Sequence, residues 1–156
     1  MEKWKPGKGV VEFPSGRRIR GRSWRLPVEQ NATVSVILTT AAPGEFSTHS
    51  IFAGNPRRIM IDWPDYRLPR RTAQAAEQLY GAWQMADSEL VEITCRGGVG
   101  RTGTALAMIA MFEGMSACEA IDFVRSHYNE QSVQSHAQRG FIMDFSFSPR
   151  TNENCA

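Results

Sequence analysis

The stretch LVEITCRGGVGRTGTALAMIAMF, residues 90–112, constrains this chain more than any other. Its opening, LVEIT, is apolar and partly β-branched, so 90–94 reads as a short strand. Residues 100–113 are apolar nearly all round, the pattern of a buried central helix, and Gly114 stops it. Between the two lie Gly97, Gly98, Gly100 and Gly103. A glycine-rich turn from strand to helix suits an oxyanion. The helix start offers unpaired N–H groups and partial positive charge, and glycine reaches the backbone angles that a cradle needs.

Three kinds of phosphate site fit such a turn. GVGRTG (98–103) satisfies G-x-G-x-x-G, and Asp122 lies about twenty residues on, as in a dinucleotide site. That acid should end a second strand, however, and Asp122 falls in a helical pattern. A nucleoside-triphosphate loop needs a lysine after its last glycine, and Thr104 stands there. The third kind uses every residue. Cys95 and Arg101 bracket a Cys-x5-Arg loop, and Thr102 follows. Backbone N–H groups of Arg96, Gly97, Gly98, Val99 and Gly100 can wrap a tetrahedral oxyanion. Arg101 adds a planar fork that matches two of its oxygens. Cys95 then lies beneath the phosphorus, and the donors that hold a phosphate also favour a thiolate over the thiol.

The rest of the chain frames this loop. Residues 10–30 alternate and turn about Pro14, Ser15 and Gly16, which predicts a hairpin. TVSVILTT (33–40) and RRIMID (57–62) read as strands. From about Arg71 to Ser88 the pattern is helical, with Ala73, Ala76, Tyr80 and Trp83 on one face. Two further helices open on capping boxes, Ser116 to Glu119 and Ser135 to Gln138. The first places Ala117, Ala120, Ile121 and Val124 inward. Phe141, Phe145 and Phe147 read as core. The mixture of strands and helices predicts an α/β sandwich in a single domain over 1–156, with a short polar tail from about 148.

Composition removes other classes. The formal charge of +2 gives no argument for nucleic acid, and the arginine clusters at 16–22, 56–58 and 69–71 read as solvated loops. No apolar run is long enough to span a bilayer, and the N-terminus lacks the apolar stretch of a signal peptide. Cys95, Cys118 and Cys155 cannot all pair and have no metal spacing, which fits a reducing, cytoplasmic setting. Cys118 reads as a small helix residue and Cys155 as a free thiol in the tail. His49, His127 and His136 share no metal pattern, so no metal and no cofactor are expected.

CRGGVGRTGT resembles the signature of the cysteine-dependent protein tyrosine and dual-specificity phosphatases, HC-x-x-G-x-x-R-[ST]-G. Cys95, Gly98, Arg101, Thr102 and Gly103 match it. The resemblance implies an α/β fold, a central mixed β-sheet flanked by α-helices, with the loop at the C-terminal end of strand 90–94. It implies that Cys95 attacks phosphorus to form a cysteinyl-phosphate, that Arg101 binds the phosphoryl oxygens, and that the Thr102 hydroxyl assists departure of the thiolate. The family's general acid lies on a Trp-Pro-Asp loop, and Trp63, Pro64 and Asp65 stand in that order here. Asp65 would then be general acid and afterwards general base. Asp62 is the rival carboxylate and reads as structural.

QSHAQRGFI (134–142) is similar to the family's Q-T-x-x-Q-Y-x-F-I segment, which makes Gln134 a candidate for positioning the hydrolytic water. A plain loop residue is the equal alternative, and Gln138 reads as a helix cap. One position departs: Thr94 stands where the family has histidine before the cysteine. Arg96 either widens anion preference at the rim or is a solvated loop residue. The implied partners are phosphorylated proteins, on phosphotyrosine or also on phosphoserine and phosphothreonine. The alternatives are a phosphoinositide or nucleotide phosphatase of the same chemistry and a non-catalytic phosphate-binding module.

Overall fold

The computed structural model describes residues 3–28, 30–40 and 55–145. Five strands form one mixed sheet: β1 (Val10–Glu12), β2 (Arg18–Ser23), β3 (Val34–Thr39), β4 (Arg57–Asp62) and β5 (Val91–Cys95). Their order is β1-β2-β5-β3-β4. β1 and β2 form the expected antiparallel hairpin, closed at its turn by bonds from Phe13 N to Arg17 O (2.9 Å) and from Gly16 N to Phe13 O (2.8 Å). The other pairings, β2 with β5, β5 with β3 and β3 with β4, are parallel. β5 therefore lies inside the sheet, and both β3 and β5 are buried throughout.

Four helices follow: α1 (Thr72–Met85), α2 (Gly100–Phe112), α3 (Ala117–His127) and α4 (His136–Asp144). Every residue of α2 from Gly100 to Met111 is buried. It can be apolar all round because β2, β5 and the other three helices all pack on it. The capping boxes at Ser116 and Ser135 both form. α3 turns in Ala117, Ala120, Ile121 and Val124, as its period predicts.

The inward face of α1 differs from its sequence reading. Ala75, Ala76, Leu79 and Ala82 are buried, whereas Ala73 is exposed and Tyr80 and Trp83 are half-buried. Alanines permit the close approach to the sheet and α2, while the two aromatics sit at the boundary against Phe112, with ring centroids 5.4 and 6.2 Å away. There the Trp83 indole finds a polar partner in Glu113 Oε2 (2.7 Å). Phe141 and Phe145 pair at 5.7 Å and are partly buried. Phe147, His49, Cys155 and the tail from 148 lie outside the described residues. Cys118 is disulfide-bonded, which departs from the expectation of reduced cysteines.

A polar network crosses the middle of the sheet. Arg20 and Arg22 on β2 oppose Glu92 and Thr94 on β5. Arg20 Nη2 and Arg22 Nε reach Glu92 Oε1 at 2.6 and 2.8 Å, and Ser35 Oγ on β3 donates to Glu92 Oε2 at 2.7 Å. All four side chains are buried. Burial pushes the Glu92 carboxyl pKa up, but the charge and hydrogen bonds of Arg22, Arg20 and Ser35 outweigh it and hold the net value below 4.5. A carboxyl of lowered folded pKa adds stability above its unfolded pKa and loses it as pH falls through the folded one. Glu92→Gln leaves two arginines uncompensated, so it should cost about 3 kcal/mol or more near neutral pH. Denaturant melts at stepped pH should show the deficit shrinking below about 4.5. A deficit of constant size would contradict the charge-pairing account.

Candidate active site

The loop lies where β5 hands the chain to α2, at the C-terminal end of a parallel strand. Cys95 is the last residue of β5 and is 1% exposed. It carries a free thiol. Gly98 N donates to its Sγ at 3.2 Å and Thr102 Oγ1 at 3.0 Å. Thr102 reaches it from the first turn of α2, whose N-terminus faces the same sulfur. Gly98 has φ +70°, and a Cβ there would lie 2.4 Å from Ser23 N. Only glycine satisfies both the backbone angle and that approach.

The outer side of the loop is held by hydrogen bonds to its carbonyls. Trp24 N donates to Cys95 O at 3.1 Å. The Ser23 hydroxyl donates to Arg96 O, and the Tyr128 hydroxyl to Gly98 O. Arg96 and Gly97 are exposed at the rim, Val99 is half-buried, and Gly98 and Gly100 are buried. Ser23, Trp24 and Tyr128 carried no signal in the loop motif itself. The trace of Tyr128 in the sequence is Gly21, a glycine inside a strand, which marks a close approach. A Cβ on Gly21 would sit 2.5 Å from the Tyr128 ring.

Arg101 is fully enclosed and reaches toward a second loop. Its Nη1 donates to Leu38 O (3.1 Å) at the end of β3 and to Trp63 O (3.0 Å), and its Nε stands 3.5 Å from Asp65 Oδ1. The guanidinium carbon lies 5.9 Å from the centre of the Trp24 ring. Arg101 thus gathers Trp63 and Asp65, while the next residue, Thr102, bonds the Cys95 sulfur. Asp65 is half-exposed, as a group that must meet solvent or ligand would be. Asp62 instead pairs with Arg70 at 3.3 Å, in keeping with a structural reading.

The 63–67 turn is fastened at several points. Trp63 Nε1 donates to Arg67 O at 2.7 Å and Tyr66 N to Asp65 Oδ1 at 3.0 Å. Tyr66 has φ +58°. The start of α4 grips the same turn: Ser135 Oγ donates to Tyr66 O (2.8 Å) and Gln138 Nε2 to Arg67 O (3.4 Å). Gln138 is therefore a cap, as its spacing predicts, and also a tie to this turn. Gln134 is exposed, and its Oε1 would lie 2.4 Å from a Cβ on Gly100, which puts it at the mouth of the loop. The residue before it, Val133, has φ +61°, a strained angle for a β-branched residue. Arg125 holds the carbonyls of Ser132 and Val133 at 3.0 and 3.2 Å. Strain thus sits beside both segments that flank the cysteine loop.

Thr94 is buried and its hydroxyl donates to Arg22 O (2.9 Å), so it braces β2 rather than the sulfur. Among the described residues no cluster of three histidine, cysteine, aspartate or glutamate side chains is arranged to hold a metal. Nor is any helix there long and apolar enough to cross a membrane. Two clefts of about 280 and 310 Å³ lie along α1 and include none of these loop residues.

Comparison with known proteins agrees with this geometry. The family model for protein-tyrosine phosphatase matches residues 57–147. Two uncharacterized proteins of Methanocaldococcus jannaschii are 35% and 33% identical over 63 residues, 40% of this chain. The matched stretch spans about two fifths of those relatives, 42% and 38% of their lengths. Among solved structures, kinase associated phosphatase with its catalytic-site cysteine replaced by serine superposes with TM-score 0.71 at 15% identity, covering 92% of this chain and 96% of that one. Tk-PTP in its active form gives 0.62 at 22%, covering 83% and 91%, and human DUSP28 gives 0.60 at 15%, covering 85% and 91%. The family model covers more than half of the sequence, and the fold around the Cys95 loop is that of these structures: the chain belongs to the protein-tyrosine phosphatase family.

Proposed function

We propose that this chain is a phosphomonoester hydrolase working through a cysteinyl-phosphate on Cys95, with phosphotyrosine in proteins as its principal substrate class. The observation that carries the reading is a free, doubly hydrogen-bonded Cys95 sulfur at the head of a loop whose closing arginine reaches Asp65. The amides of the 96–100 loop other than that of Gly98, which serves the sulfur, hold the phosphoryl oxygens together with the Arg101 fork. Cys95 Sγ attacks phosphorus, an S–P bond forms, the P–O bond to the leaving group breaks, and Asp65 gives that oxygen its proton. Water then attacks the same phosphorus and gives its proton to Asp65. The S–P bond breaks, and the departing thiolate is met by the Thr102 hydroxyl and Gly98 N–H already directed at it. Gln134, at the loop mouth, is suited to orient that water.

Two exposed apolar side chains close in sequence to these groups favour phosphotyrosine over smaller esters. Tyr66 follows Asp65 and is 59% exposed, and Leu26 follows Trp24 by two residues and is 52% exposed. Exposed Arg96 is the feature that would favour a polyanionic inositol phosphate instead, so the substrate panel needs both kinds.

Cys95→Ser should abolish turnover of para-nitrophenyl phosphate. Asp65→Ala should lower kcat by roughly 10²–10⁴ on a substrate with a poor leaving group such as phenyl phosphate, and by much less on para-nitrophenyl phosphate, which needs little protonation. Vanadate affinity should change little. Equal losses on both esters, or parallel loss of vanadate binding, would remove Asp65 from the general-acid role. On a panel, phosphotyrosine peptides should exceed inositol phosphates in kcat/KM. The reverse order would shift the substrate class and leave the chemistry in place.

A further inference from the structure

We propose that Tyr128, from the end of α3, is a positioning residue for the phosphate-holding loop, fixing the 98–99 peptide so that the Val99 N–H is available to the bound oxyanion. The proposal rests on the functional reading of the loop and adds a residue that lies outside its motif.

The argument starts from the planarity of the peptide. In a trans peptide the C=O and the following N–H point in opposite directions, and the barrier to rotation about the C–N bond is large. Fixing a carbonyl on one side of the chain therefore fixes the next N–H on the other. Three carbonyls of the loop are fixed from outside: Cys95 O by Trp24 N, Arg96 O by Ser23 Oγ, and Gly98 O by the Tyr128 hydroxyl. The N–H groups this turns to the inner side are those of Arg96, Gly97 and Val99. Gly98 N, between them, is on Cys95 Sγ at 3.2 Å. Ser23 and Trp24 come from the end of β2, directly beside β5. Tyr128 alone of the three comes from the helical layer, thirty residues beyond Gly98.

The molecule makes room for it. Gly21, in the middle of β2, leaves space that any Cβ would take from the Tyr128 ring, at 2.5 Å from Cε1. The ring thus passes over the strand to reach the loop from behind. Burial, and after it the charge of nearby Cys95, pushes the phenol pKa well above its usual value, so the hydroxyl keeps its proton and stays a donor. A carbonyl left without this donor would be free to rotate its peptide, and glycine at 98 offers little resistance.

Tyr128→Phe keeps the ring and removes the hydroxyl. We expect vanadate affinity, by calorimetry, and kcat/KM for para-nitrophenyl phosphate to fall about tenfold. The melting temperature without ligand should fall by a few degrees, because the Gly98 carbonyl loses its donor, while the rise produced by vanadate shrinks. The amide resonance of Val99 should lose most of its shift on vanadate addition. Gly21→Ala should reproduce the loss by displacing the ring, and in the Tyr128→Phe background it should add little, since both changes break one contact. A Tyr128→Phe protein with wild-type vanadate affinity and kcat/KM overturns the proposal, whether or not its melting temperature falls. Additive losses in the double variant do so as well. A wild-type chain that neither binds vanadate nor turns over the ester would instead sink the phosphatase reading itself, so the two failures are told apart by the wild-type control.

Discussion

A loop of amides can face an anion only if its carbonyls are satisfied facing away. That constraint governs the region between Cys95 and Arg101. Each N–H turned inward is the other half of a peptide whose carbonyl must find a donor outside, or remain unpaired at a cost of about 1–3 kcal/mol if buried. Trp24 N, Ser23 Oγ and Tyr128 Oη are those donors. The sheet order follows the same need. With β2 beside β5, the chain leaving β2 passes the loop at the point where two of its carbonyls emerge.

The buried charges in the sheet belong to this arrangement. Glu92 lies three residues before Cys95 and binds Arg22, which in turn donates to Ser23 O (3.2 Å) and Leu26 O (3.4 Å). The guanidinium thus shapes the turn that presents Ser23 Oγ and Trp24 N to the loop. An apolar set in the same positions would give a sheet of equal or greater stability, because buried ion pairs seldom outweigh their desolvation by much. It would not supply the donors that aim the 23–26 turn. Thr94, where relatives of this loop type have histidine, joins the same system through its bond to Arg22 O. Its support of the cysteine is therefore indirect, through β2.

Local chemistry made much of this legible in the sequence. The strand, glycine turn and buried helix at 90–113 follow from periodicity and from the φ demands of Gly98, and both capping boxes follow from side chains three residues apart. Trp63-Pro64-Asp65 and the cysteine loop share no local signal that they meet. Their contact runs through Arg101, and only the parallel pairing of β3 between β4 and β5 brings those segments side by side. What stayed hidden was of two kinds. Donors such as Ser23 and Tyr128 act across 73 and 30 residues on backbone atoms, which leave no complementary side chain to read. The inward face of α1 is not fixed by its pattern, because a period of 3.6 names a stripe without its centre. The small Ala75 and Ala82, not the aromatics, set how near the helix comes.

Arg101 carries the last consequence of the geometry. Its Nη1 is shared by Leu38 O and Trp63 O, and its Nε faces Asp65, so one side chain spans the end of β3, the 63–67 turn and the start of α2. An oxyanion in the loop would draw on the same guanidinium. The turn it touches is closed on itself by Trp63 Nε1 and fastened by Ser135 and Gln138 on its far side. A turn held in this way keeps its carboxyl in one place relative to the guanidinium. One guanidinium therefore ties the carboxyl of Asp65 to the loop that begins at Cys95, and the positive-φ residues Tyr66 and Val133 stand in the two segments that flank this tie.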